Sequence, residues 1–274
     1  MVIFISPLKE NTAKRSYISV PHLGGHITFA YPEKYSTNYD DLQRRILNDT
    51  LDSLVPPTAS ETVSLLCETS NEYRDSLDRN MSLRPDYGRI MNILLKSLGF
   101  LTFTGNLFIS KDDKELSNGV FIQDLPKIDD KGIYMDRNTL EKAFDSESFN
   151  EDGVLWSRNR DSRFVPFGYE FGISDPSKLV SNSYIIALLR GKEQAEKLRR
   201  ISEALGVITT INIPSGELLN RHAVGGVYLE YWDITWGENS KLRLCFNDNL
   251  LIGGYALGKL NSSSHEKENI KQSI

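Results

Sequence analysis

The sharpest pattern of apolar and polar positions lies between Ser183 and Ile213. Residues 184–189, Tyr-Ile-Ile-Ala-Leu-Leu, form an apolar run that suits a strand buried on both faces. After Arg190-Gly191-Lys192 the period lengthens. Ala195, Leu198, Ile201 and Leu205 fall at helical spacing, and Glu193, Glu196, Lys197, Arg199, Arg200 and Glu203 take the opposite face. Gly206 stands where a helix closes in a left-handed residue. Val207-Ile208-Thr209-Thr210-Ile211 then has the β-branched content of a strand. The pattern predicts a strand-helix-strand crossover with parallel strands. Two consecutive helices, 176–190 and 192–205, form the competing reading, because period alone does not separate a short buried strand from a buried helix.

Upstream, residues 2–5 read as a strand, and 15–20 with 26–31 as a hairpin across Pro21-His22-Leu23-Gly24-Gly25. Three helices are predicted next. Leu42, Ile46, Leu47, Leu51 and Leu54 make the first stripe, which Pro56-Pro57 stops. Thr58-Ala59-Ser60-Glu61 is a capping box that opens the second, with Val63, Leu66, Tyr73 and Leu77 as its stripe. Pro85 opens the third, which carries Ile90, Met91, Leu94, Leu95 and Leu98 as far as Gly99. Phe100–Phe103 and Leu107–Ser110 flank Thr104-Gly105-Asn106 and predict a hairpin. Downstream, Val154–Trp156, Phe164–Phe171, Gly226–Asp233, Leu242–Phe246 and Leu250–Leu257 read as extended, with 234–240 as a loop. From Asn261 onward the apolar content is too low to predict a folded segment.

Three helices followed by a tight hairpin resemble the order of winged-helix modules. The stretch from Arg89 to Leu101 resembles the last helix and the start of the wing in that class. The resemblance implies a module that binds nucleic acid or protein. Arg89 and Lys96, seven residues apart, would then share the exposed side of the third helix, and Arg84 would sit just before its start.

Composition adjusts this picture modestly. Over 274 residues, 39% hydrophobic content predicts a packed core, and a net charge of −5 argues against a general nucleic-acid coat. The charge is uneven: residues 112–152 hold twelve acidic side chains against five basic ones. Such density predicts a solvated, loop-rich connection. The chain therefore divides into a strand-and-helix module (1–111), the acidic connection (112–152), a mixed sheet module (153–260) and a tail (261–274). The fold class is α+β. Cys67 and Cys245 give neither a disulfide framework nor a zinc pattern, and no run approaches a membrane span. A cytoplasmic protein without membrane association is expected.

The candidate chemistry is sparse. His22 and His26 lie four apart and His222 is distant, but glycines between the first pair speak against a shared helical face, so no metal site is assigned. Arg190 and Lys192 flank a predicted helix N-terminus, where a phosphate is favoured. Arg158, Arg160 and Arg163 alternate with Trp156, Phe164, Phe167 and Tyr169, a composition that clamps and stacks a nucleic-acid strand. The same composition arises in a hairpin with rings on one face and charge on the other. Asp86, Asp112 and Lys114 form only a loose nuclease-like arrangement. No cofactor is implied. The expected function is non-enzymatic recognition of nucleic acid or a protein partner. The alternative is an enzyme acting on a phosphorylated or nucleic-acid substrate, with no catalytic residue that can be named.

Overall fold

Nine consecutive residues at the start of the second helix, Ala59–Cys67, are all buried, polar ones included. A helical segment buried around its whole circumference lies inside the molecule, and the other elements assemble about this first half of the helix. The computed structural model describes residues 15–96, 99–109, 119–129, 132–144, 147–167, 172–212, 223–232, 240–247 and 253–261.

In chain order the elements are β1 (Ser16–His22), β2 (Gly25–Tyr31), β3 (Lys34–Ser36), α1 (Tyr39–Leu47), β4 (Leu54–Val55), α2 (Ala59–Arg79), α3 (Pro85–Leu95), β5 (Phe100–Phe108) and β6 (Gly119–Asp124). There follow β7 (Lys127–Asp129), β8 (Gly132–Tyr134), α4 (Arg137–Lys142), β9 (Phe149–Glu151), β10 (Val154–Trp156), β11 (Ser162–Pro166) and β12 (Gly172–Ser174). A 3-10 turn (Pro176–Ser181) precedes α5 (Ser183–Leu188), α6 (Lys192–Leu205), β13 (Ile208–Asn212), β14 (Ala223–Trp232), β15 (Lys241–Asn247), β16 (Gly254–Ala256) and β17 (Lys259–Leu260). The fold is α+β.

An eleven-stranded mixed sheet runs β12-β13-β15-β14-β5-β6-β11-β10-β9, with β16 joining β5 and β3 at its side. Helices α2, α3, α5 and α6 cover one face through Val63, Leu66, Ile90, Leu94, Ile185 and Leu198. The other face holds Leu101 and Phe103 against Tyr39, Leu42 and Ile46 of α1, and Leu107 and Phe121 against Met135 and Leu140. A four-stranded sheet, β1-β2-β17-β4, lies beside α2, and β7-β8 form a small ribbon. Strands of the large sheet come from both flanks of the acidic stretch, and β6 lies within it.

Three expectations are corrected. Residues 184–189 are not a strand. They form α5 and its C-terminal residue, so the unit is helix-helix-strand, and β13 pairs in parallel with β15 instead. Asn182 starts α5 by accepting hydrogen bonds from the Tyr184 and Ile185 amides. All of Tyr184–Leu188 is buried. An element enclosed on every side has no polar face, so its sequence carries no period to read.

Likewise, Thr104-Gly105-Asn106 is not a turn. It lies inside β5, whose nine residues are all buried. Gly105 is required for close approach: a Cβ there would stand 2.8 Å from Met135 Sδ and 2.9 Å from Pro126 Cγ. The hairpin predicted around Thr104-Gly105-Asn106 does not form, because both of its predicted strands fall largely within this one strand. The first helix also stops earlier than its stripe suggested, at Leu47, and Leu51 is exposed.

Local signals fared better. The β1–β2 hairpin forms, Pro85 opens α3, and Gly206 closes α6 at φ 66°. In the capping box, Thr58 Oγ1 accepts from the Glu61 amide and Glu61 Oε2 accepts from the Thr58 amide at 2.8 Å. Thr58→Ala is expected to destabilise the fold by about 1 kcal/mol. A denaturant titration checks this, and an unchanged midpoint would show that the cap contributes nothing. Cys67 and Cys245 are buried and not disulfide-linked. Among the described residues no helix is long and apolar enough to cross a membrane. The predicted strand 2–5, most of the 234–240 loop, His222, Tyr169 and the tail beyond Asn261 lie outside the described residues.

Candidate binding cleft beside a polar seam

The β1–β2 hairpin turns at Leu23 and Gly24, with φ 45° and 78°, and closes on the His22–Gly25 pair. Backbone groups in an antiparallel ladder alternate between the two sides of a strand. The Ala30 amide points away from β1 and donates to Gly258 O at 2.8 Å. By that alternation, the backbone groups of Thr28 and His26 face the same side. Strand β17 meets β2 only at Lys259–Phe29. It then follows β4, pairing Leu260 with Leu54, and the Asn261 amide donates to Ser53 O at 3.2 Å. The sheet thus splits beyond Phe29.

The split opens into a cleft of 490 Å³, within the range that takes small ligands. His26, Ile27 and Thr28 line one wall, and Val55, Leu260 and Asn261 the other. Glu61 and Lys259, ion-paired with each other, complete the lining.

One helical turn beyond Glu61 is Ser64, the centre of a polar seam between α2 and α6. Its Oγ donates to Gln194 Oε1 at 2.8 Å, accepts from Lys197 Nζ at 3.1 Å and lies 2.9 Å from His22 Nδ1. Lys197 Nζ also donates to Pro21 O at 2.7 Å, which ties the hairpin tip to α6. Burial lowers the Lys197 ammonium below its usual range and raises the neighbouring Cys67 thiol. Gln194 Nε2 in the seam, and Ser60 Oγ elsewhere on α2, are buried without a hydrogen-bond partner among the described residues. The Ser64 hydroxyl thus brings Gln194 and Lys197 of α6 and His22 of the hairpin to one point.

The cations singled out in the sequence are placed elsewhere, each beside a carboxylate in all but one case. Arg84 pairs with Asp86 at 2.7 Å and lies 4.3 Å over the Tyr87 ring. Arg89 is mostly buried and pairs with Glu33 at 2.8 Å. Lys96 is the exposed C-terminal cap of α3. Arg158 pairs with Glu147 at 2.6 Å, and Arg160 pairs with Glu151 while lying over the Phe149 and Trp156 rings. Arg163 is fully buried on Asp124 at 2.6 Å. Arg190 stands 3.6 Å from both Asp124 and Asp161, and Lys192 pairs with Asp152. The arginines 158, 160 and 163 therefore do not share an open groove. His22 and His26 also diverge, one toward Ser64 and the other exposed at the cleft. Among the described residues no three His, Cys, Asp or Glu side chains form a metal-binding group.

Comparison with protein-family models, curated proteins and solved structures returned no match. The cleft and seam were not anticipated from the sequence. A usable signal existed: Ser60 and Ser64 interrupt the inner stripe of a helix otherwise fit for burial. Small polar residues at such positions mark a seam against another helix's polar groups.

Proposed function

We propose that this protein is a non-enzymatic binding module whose partner is another protein, held as an extended segment in the split between β2 and β17. The observation that carries this reading is the cleft-facing edge of β2 at His26–Thr28, beside apolar Ile27, Val55 and Leu260. Backbone groups at a strand edge recognise a further strand, while alternate pockets select its side chains. The ion pairs described above weigh against nucleic acid, since a phosphate would have to compete with carboxylates already in place.

Selection of peptides from a random displayed library tests the reading. Enriched peptides are expected to bind the intact protein and to lose at least tenfold in affinity to Thr28→Pro. That change removes one edge amide facing the cleft and leaves the β1 pairing in place. No enrichment, or equal binding to both proteins, would refute it. An electrophoretic shift of duplex or single-stranded nucleic acid at low salt, lost as salt rises, would instead favour nucleic-acid recognition.

A further inference from the structure

The cleft has a closed end. Strands β2 and β17 meet at Phe29–Lys259, and just behind that pair the Ala30 amide donates to Gly258 O. A segment laid along the β2 edge past His26 and Thr28 has no lane beyond Thr28, because β17 already fills the place beside Phe29. On its other side β17 is closed by β4, through Lys259 and Val55. A continuous strand must leave the edge at this point and forfeit its backbone pairing. A strand that ends there keeps all of it.

Charge at the closed end distinguishes the two termini of a chain. Lys259 and Glu61 both line the cleft. An ammonium carries three hydrogens and no lone pair. Glu61 Oε1 takes one hydrogen of Lys259 Nζ, and no other acceptor meets it among the described residues. The remaining hydrogens belong to a side chain that is 18% exposed. Glu61 is more fully engaged, since Oε1 accepts from Lys259 and Oε2 from the Thr58 amide at 2.8 Å. Its charge is also supported by its place in the first turn of α2. The pair therefore presents free donors to the cleft. The Thr28 amide, next to Phe29 on the cleft-facing edge, adds another.

We propose that the segment held in the cleft is the C-terminus of the partner, with its α-carboxylate on Lys259 Nζ and the Thr28 amide. This rests on the docking role proposed for the cleft and adds which end of a chain it takes. Strand β2 runs from Gly25 at the open end toward Phe29 at the closed one, so the segment lies parallel to β2 and antiparallel to β17. About three residues cover His26–Thr28 at strand spacing, beside the apolar Ile27, Val55 and Leu260. The terminal carboxylate is ionised at neutral pH, and its hydrogen bonds to an ammonium are of the strong, charge-assisted kind.

Two random peptide libraries test this on the intact protein, one displayed with a free C-terminus and one with the C-terminus fused to the carrier. Enrichment is expected from the free-ended library. The synthetic peptides are expected to bind at least about tenfold more tightly as acids than as C-terminal amides. Glu61→Gln combined with Lys259→Met removes both charges, while a glutamine side chain still serves the capping box. The preference for the acid should fall at least threefold in that variant. The acid-amide comparison on the parent needs no substitution, so it decides even where the double variant does not fold. Equal binding of acid and amide, enrichment from the fused library alone, or an acid preference unchanged in the double variant overturns the assignment. Where acid and amide bind alike and both still lose affinity to Thr28→Pro, the docking role stands and only the choice of terminus fails. Where neither library yields a binder, the docking role fails and the terminus assignment falls with it.

Discussion

Replacing Asp124 by alanine is expected to cost the fold about 3–5 kcal/mol, the usual penalty for stranding one member of a buried ion pair. Asp124 ends β6 and accepts from Arg163 Nη1 and Nη2 at 2.6 and 3.0 Å and from Thr104 Oγ1 at 2.9 Å. The Arg163 side chain is fully buried, and Arg190 approaches the same carboxylate. A guanidinium does not escape its charge by losing a proton, so Asp124→Ala leaves an unpaired cation in the core. Asp124→Leu combined with Arg163→Met removes both charges and is expected to recover most of the loss, because well-packed apolar groups replace buried pairs at little cost.

The pH dependence gives a second reading. Burial alone would raise the Asp124 carboxyl, but Arg163, Arg190 and the Thr104 hydroxyl outweigh it and hold the carboxyl below its usual range. Its stabilisation is thus complete above the unfolded value of about 3.9 and is lost as pH falls toward the folded one. Denaturant unfolding at pH 7 and pH 3 should show the gap between parent and Asp124→Ala narrowing in acid. A gap under about 1 kcal/mol at pH 7, or one that does not change with pH, would mean that the pair does not hold this part of the sheet.

What was legible in the sequence was local. Thr58 and Glu61, Gly206 and Pro85 each announce a backbone conformation within a few residues and are found where expected, and the hairpin expected across Pro21–Gly25 forms with its turn narrowed to Leu23-Gly24. The two misread stretches depend on partners far along the chain. Residues 184–189 are apolar because α6, β10 and β11 enclose them, a fact absent from the run itself. Gly105 looks like a turn glycine until Met135 and Pro126 are seen to press on it. The seam has the same character, for Ser64 lies 130 residues from Gln194 and 133 from Lys197. The arginines show the reverse error. Their spacing among aromatic residues was visible, and Arg160 does stack on two rings, but the carboxylates beside them, Glu147, Glu151 and Asp124, come from outside the motif.

The reassignment of 100–108 from hairpin to strand has a large energetic consequence. Phe108→Ala is expected to cost about 3–5 kcal/mol, the range for removing a buried aromatic ring from a packed core. Phe108 ends β5, which pairs with β14 on one side and β6 on the other, so it sits in the middle of the large sheet. Its side chain is fully buried, with the ring edge-on to Phe246 at 4.9 Å and tilted against Tyr184 at 6.4 Å. Truncation leaves a space bounded by sheet, α5 and β15, elements too interlocked to collapse into it. On the return strand of a solvent-facing wing, the same change would remove a few contacts and cost about 1 kcal/mol or less. Denaturant unfolding of Phe108→Ala distinguishes the two positions, with Leu77→Ala as a reference on the exposed side of α2, where 65% of Leu77 meets solvent and the effect should be near zero. A Phe108→Ala loss no greater than that of the reference would place these residues at a surface hairpin after all. A loss of several kcal/mol, with the cooperative transition preserved, is the behaviour of a central strand on whose ring both α5 and β15 pack.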